Sequence, residues 1–98
     1  MEVVIVGGGA IGRLFGYFLA KGDHSVAIID SDAEVVAALN NRGIEHLDIG
    51  ESDPDAVSVA AVNATTDVRT ITSCDLLLLT VKSSATARAA QSIRHLFS

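Results

Sequence analysis

Gly7, Gly9 and Gly12 stand in the spacing G-x-G-x-x-G, directly after the β-branched run Val3, Val4, Ile5, Val6 and directly before an amphipathic stretch. In that setting each glycine has a mechanical use. The first allows a tight turn, the second lets a pyrophosphate approach the backbone, and the third lets helix and strand pack closely. The backbone of Gly7, Gly9, Ala10, Ile11 and Gly12 is therefore the candidate cradle for two linked phosphates, aided by the free amides and positive dipole end of the following helix. Asp30 follows Gly12 by 18 residues and closes a second apolar run. That is near the offset of about 20 residues expected for the acid that accepts from an adenosine ribose hydroxyl. With Ser31 beside it, Asp30 is the candidate ribose contact, and its carboxylate repels a 2′-phosphate, which favours NAD over NADP. The bland alternative is that the glycines only build a turn and Asp30 only precedes a helix cap. Strand, glycines, helix and acid occurring in the required order favour dinucleotide binding.

These residues need a particular scaffold. The run at residues 3–6 is continuously apolar, the pattern of a strand covered on both faces in a parallel sheet. Ile11, Leu14, Phe15, Phe18 and Leu19 recur at helical spacing and predict the buried stripe of a helix, with Arg13, Tyr17 and Lys21 on another face and Gly22 as its stop. Residues 26–29 predict a second strand. Ser31 and Glu34 have capping-box spacing, so Ser31 is the expected cap of a second helix that turns Val35, Val36 and Leu39 inward and ends around residues 41–43. Residues 44–49 and 56–62 predict a hairpin around the turn at Gly50, Asp53, Pro54 and Asp55. Leu76 to Val81 predict another doubly covered strand. A last helix is expected from a Ser83 or Ser84 cap through Ala89, Ala90, Ile93, Leu96 and Phe97. The order implies an α/β, Rossmann-like doubly wound parallel sheet, incomplete, with about three to four parallel strands and a short hairpin. Residues 1–98 read as one nucleotide-binding unit, expected to be part of a larger protein.

Composition removes other function classes. The chain has 98 residues, 49% hydrophobic and 19% charged, which suits a folded domain and excludes intrinsic disorder. Its net charge of −5 has the wrong sign for gripping nucleic acid or anionic lipid. The single cysteine, Cys74, forms no internal disulfide, and His24, His46 and His95 lack zinc spacing. Cys74 reads as a packing residue, and the acidic turn of Asp48, Glu51, Asp53 and Asp55 lacks the spacing of a calcium loop. No metal site is expected. The apolar stretch at residues 3–20 opens with Glu2 and is broken by glycines, so it reads as neither export signal nor membrane span, and a cytoplasmic location is expected. A sheet interrupted after its last strand leaves an open edge, which predicts a homodimer.

The segments VVIVGGGAIGRLFGYFLAKGDHSVAIID and DLLLLTVKSSATARAAQSI resemble the amino-terminal domain of ketopantoate reductases (2-dehydropantoate 2-reductases). Its motifs are the Gly-Gly-Gly-Ala-Ile-Gly loop and Thr80-Val81-Lys82 at a strand end. The first is shared by many dehydrogenases; the second is more particular. The resemblance implies an NAD(P)H-dependent oxidoreductase that reduces 2-dehydropantoate to pantoate in pantothenate and coenzyme A biosynthesis. It also implies Thr80, Val81 and Lys82 as cofactor contacts, with Lys82 beside the cofactor; an ordinary solvated lysine is the alternative. The sequence departs from the family in one respect: members usually prefer NADPH and often place a basic or amide side chain where this chain has Asp30 and Ser31. The resemblance locates the substrate-binding and proton-donating residues in a helical carboxyl-terminal domain, so no catalytic residue is named here, and these 98 residues are expected to bind cofactor without turnover.

Two other functions compete. One is a regulatory nucleotide-binding domain of the potassium-transport type, against which the long interval between Gly50 and Asp75 argues. The other is the cofactor domain of another NAD(P)-dependent dehydrogenase, which glycine spacing alone does not separate.

Overall fold

A computed structural model of the chain describes residues 1–47 and 57–80. β1 (Glu2–Val6) pairs in parallel with β2 (Ser25–Ile29) on one side, and α1 (Ala10–Lys21) connects them. After α2 (Ala33–Arg42) comes a separate antiparallel pair, β3 (Ile44–Leu47) and β4 (Val57–Ala60). The chain then returns to the main sheet as β5 (Asn63–Thr65), parallel to β2. A short 3-10 turn, Val68–Thr70, precedes β6 (Leu76–Leu79), which is parallel to β1 on its other side. Among the described residues the order β5-β2-β1-β6 is thus a four-stranded parallel sheet with a hairpin beside it, as the residue pattern predicts.

Period-two alternation divides the core between the sheet's faces. Val3, Ile5, Val26 and Ile28 point to one face and pack with Tyr17, Leu39, Ile44 and Ala60. Val4, Val6 and Ile29 point to the other, against Val68, Ile71, Cys74 and Leu77. β1 is therefore buried on both sides, each such side chain contributing about 1.5–3 kcal/mol over exposure. The edge at β5 is closed by a side chain: Asn40 donates from Nδ2 to the Ala64 carbonyl at 2.9 Å and accepts from the Ala64 amide at Oδ1 at 2.8 Å. An amide on α2 thereby takes the place of a further strand.

Several expectations are corrected. Four of the five residues predicted to be buried on α1 face outward: Ile11 is 61% exposed and Phe18 57%, with Leu14 and Phe15 exposed as well; the fifth, Leu19, is half-buried against the core, and Tyr17 is 5% exposed. α1 meets the sheet through Gly12, Gly16 and Tyr17, and a Cβ on Gly16 would lie 2.9 Å from Ile44 Cδ1. Glycines on that face bring the helix so close that bulk belongs on the opposite side. The cap of α2 is Asp32, not Ser31. β5 and the 3-10 turn have no counterpart in the expected order of elements. β6 is a partly exposed strand, not a doubly covered one, and among the described residues it lies at the sheet edge. The expected final helix and the acidic turn lie outside the described residues.

Candidate functional site

The strand order reverses at β1. β2 and β5 extend the sheet one way, and β6 extends it the other. The crevice outside the carboxyl ends of strands at such a reversal is where ligands bind in open α/β sheets. Gly7 leaves β1 there with φ +112°, a conformation open to glycine and strained for other residues, while its amide donates to the Ile29 carbonyl at 2.8 Å. Thr80, at the end of β6, donates its hydroxyl to the carbonyls of Val6 and Gly7, each at 3.0 Å. Its side chain therefore clasps the loop from inside. Gly12 completes the turn: a Cβ there would collide with the Gly7 carbonyl oxygen and lie 2.8 Å from Thr80 Oγ1.

Above this half-buried clasp, α1 starts open. Gly9 is its N-cap in extended backbone, with no side-chain cap and no acidic residue in the first turn. A Cβ on Gly9 would meet nothing within 4 Å. Gly9, Ala10 and Ile11 are exposed, whereas Gly7, Gly8 and Gly12 are buried. The first amides of a helix lack intrahelical partners, so this turn presents donors and positive dipole to open space.

Asp30 is brought to the same place and held there. Oδ2 accepts from the Gly8 amide at 2.7 Å and Oδ1 from the Asp32 amide at 2.8 Å. A Cβ on Gly8 would approach that Oδ2 to 3.0 Å and Val35 Cγ1 to 2.9 Å. The amide of Gly8 is thus committed to Asp30 and not to a ligand. A carboxylate has about four lone-pair sites, so Asp30 keeps capacity for hydroxyl donors after both bonds. Asp32 turns the other way, accepting at Oδ1 from the Glu34 amide at 2.9 Å. Ser31 is exposed between them.

A groove of about 860 Å³ runs from Gly8, Gly9 and Asp30, between α1 and α2, to Gly43 at the end of α2 and to Glu45 and His46 in β3. Its floor includes Tyr17, whose ring lies 4.6 Å from the His46 ring. Among the described residues, Arg13 and Arg42 are the arginines along it. The residues that the G-x-G-x-x-G reading left out are Gly8, Asp32, Val35 and Arg13. The Asp32–Glu34 cap was present as a signal, since aspartate caps as well as serine does; the approach of Arg13 to the loop was not. Val81 and Lys82 lie outside the described residues. Cys74 packs on the far face, where burial, then the Asp75 and Glu2 carboxylates, push its thiol pKa up, so it stays a protonated packing residue. Among the described residues no helix is long and apolar enough to cross a membrane, and no three or more His, Cys, Asp and Glu side chains gather as a metal site.

The family described as Ketopantoate reductase PanE/ApbA matches this chain over residues 3–98. A 2-dehydropantoate 2-reductase of Pyrococcus abyssi is 36% identical over 96 residues, covering 98% of this chain and 29% of the relative. A solved structure of a probable 2-dehydropantoate 2-reductase from Bacillus subtilis superposes with a TM-score of 0.82 at 28% identity, over 98% of this chain and 30% of that one. A D-mandelate dehydrogenase solved with NADH and anilino(oxo)acetate gives 0.81 at 26% identity, over 98% and 29%. The chain therefore spans under a third of the length of these relatives.

Proposed function

The chain belongs to the ketopantoate reductase family, and on that premise we propose that it is the part that binds the nicotinamide dinucleotide. The observation carrying this is the uncapped first turn of α1, open above Gly9 and set beside the fixed carboxylate of Asp30. The residues fit the group. The turn at Gly9, Ala10, Ile11 and Gly12 would hold the pyrophosphate, and Asp30 the hydroxyls of the adenosine ribose. Asp30 and Asp32 stand together at the end of β2, so a 2′-phosphate would be repelled and NADH is the cofactor expected in preference to NADPH. Lys82, two residues beyond Thr80, is proposed beside the cofactor on the strength of the family resemblance.

Bound there, the nicotinamide supplies a hydride. For the whole protein the proposed reaction is reduction of 2-dehydropantoate to pantoate, a step towards pantothenate, in the cytoplasm. The 98 residues on their own are expected to bind without turnover. The partly exposed edge of β6 supports self-association, which light scattering tests. Titration with NADH, NADPH and FAD by calorimetry tests the central claim. Saturable NADH binding, tighter than NADPH, is expected; binding of none of them at millimolar concentration overturns it.

A further inference from the structure

The dinucleotide reading leaves an electrostatic problem at the site. A pyrophosphate carries two negative charges into a chain of net charge −5, next to Asp30 and Asp32. The helix end offers only about half an elementary charge in return. A full positive charge close to the first turn would offset the remainder, and among the described residues two arginines line the groove. Arg42 sits in the last turn of α2, a helix of 10 residues and so about 15 Å along its axis from the Asp32 end. Arg13 is one turn into α1. Helical side chains lean toward their own N-terminus, and Arg13 does so here, with Nε 3.4 Å from the Gly9 carbonyl.

That contact is long and exposed, and it engages one of five guanidinium N–H donors. It places Nε beside the first turn of α1 and leaves the four terminal N–H donors for a ligand. Two parallel N–H groups of a guanidinium match two phosphate oxygens, which a lysine ammonium does not reproduce. We infer that Arg13 closes over the pyrophosphate of the bound dinucleotide from the solvent side of the α1 first turn, as a positioning cation distinct from the Lys82 proposed at the end of β6. Its anchor is Gly9, at the phosphate end, and not the Asp30–Asp32 end where a 2′-phosphate would lie. This inference rests on the proposed cofactor role.

The test compares wild type, Arg13→Ala and Arg13→Lys, with NADH, NADPH and ADP followed by calorimetry and adenosine by NMR. Arg13→Ala is expected to weaken NADH, NADPH and ADP by one common factor of about 10 to 100, the scale of a charge-assisted hydrogen bond. Adenosine binding and melting temperature stay unchanged, Arg13→Lys recovers part of the loss, and the salt dependence of NADH binding becomes shallower. Unchanged NADH affinity overturns the inference. So does a loss confined to NADPH, which marks a 2′-phosphate contact, or an equal loss for adenosine, which marks damage to the groove. A wild-type protein that binds none of these compounds instead removes the cofactor reading, and Arg13 with it.

Discussion

The two helices begin in opposite ways within one short stretch of chain. α2 is closed: Asp32 accepts from the Glu34 amide at 2.9 Å, and Glu34 adds negative charge to the first turn. α1 is open: Gly9 has no side chain to offer, and its first turn holds no acid. The donors are the same in both helices. What differs is whether the protein supplies the anion itself. A helix that satisfies its own N-terminus gains about 1 kcal/mol of stability and has no anion site, whereas one left open is suited to a ligand's phosphates. Asp30 links the two, bonding Gly8 before α1 and the Asp32 amide before α2.

Breaking the contrast from the α1 side should have the largest effect. Gly12→Ala drives a methyl group into the Gly7 carbonyl and toward Thr80, so the loop must reorganise. A loss of about 3 kcal/mol in urea unfolding is expected, with NADH binding abolished; an unchanged midpoint would show that the helix can move away freely. Gly9→Asp sharpens the contrast by giving α1 the kind of cap that α2 has. Its Cβ enters open space, so melting temperature should hold or rise slightly. NADH affinity should fall at least about a hundredfold, as the new carboxylate takes the phosphate's donors. Retained affinity would place the phosphates elsewhere.

Asp32→Ala is the converse change. It should cost about 1 kcal/mol in thermal unfolding while leaving NADH affinity within about twofold. An effect on affinity larger than on stability would give Asp32 a direct part in binding. The smallest effect is expected at Asp67, which caps the 3-10 turn and pairs with Arg69 at 3.0 Å. The side-chain bond from Arg69, then its backbone amide, holds the Asp67 carboxyl below its usual pKa of 3.8. Its contribution is therefore fully present above that value and is lost as pH falls through the lower folded value. Because the pair is solvent-exposed, Asp67→Asn should leave stability at pH 7 nearly unchanged and flatten only the acid end of the profile. A drop at neutral pH would mean the turn braces Val68 and Ile71 against the sheet more than its exposure suggests.

What could be read along the chain was what depends on near neighbours. The run Val3, Val4, Ile5, Val6 is buried on both faces, as its continuity predicts, and Gly22 ends α1 as expected. The hairpin also forms, in the register Ile44↔Ala60. The errors have distinct causes. Weighing residue size along α1 pointed Phe15 and Phe18 inward, because the pattern of bulk does not reveal that Gly12 and Gly16 let the backbone itself approach the sheet. Asn63, Ala64 and Thr65 carry too little apolar pattern to announce a strand. They become one because Ile28 offers an edge and Asn40 closes the other side.

Sequence alone determined the strand, glycine turn, helix and acid in order, because backbone freedom at glycine and apolar continuity are local properties. Tertiary structure alone decided that Asp30 grips Gly8, that Thr80 reaches across from β6 to the Val6 and Gly7 carbonyls, and which side of α1 meets the sheet. Those contacts join residues more than 20 and more than 70 positions apart. They exist only once strand pairing has brought the carboxyl ends of β1, β2 and β6 together, and no short-range pattern encodes that distance.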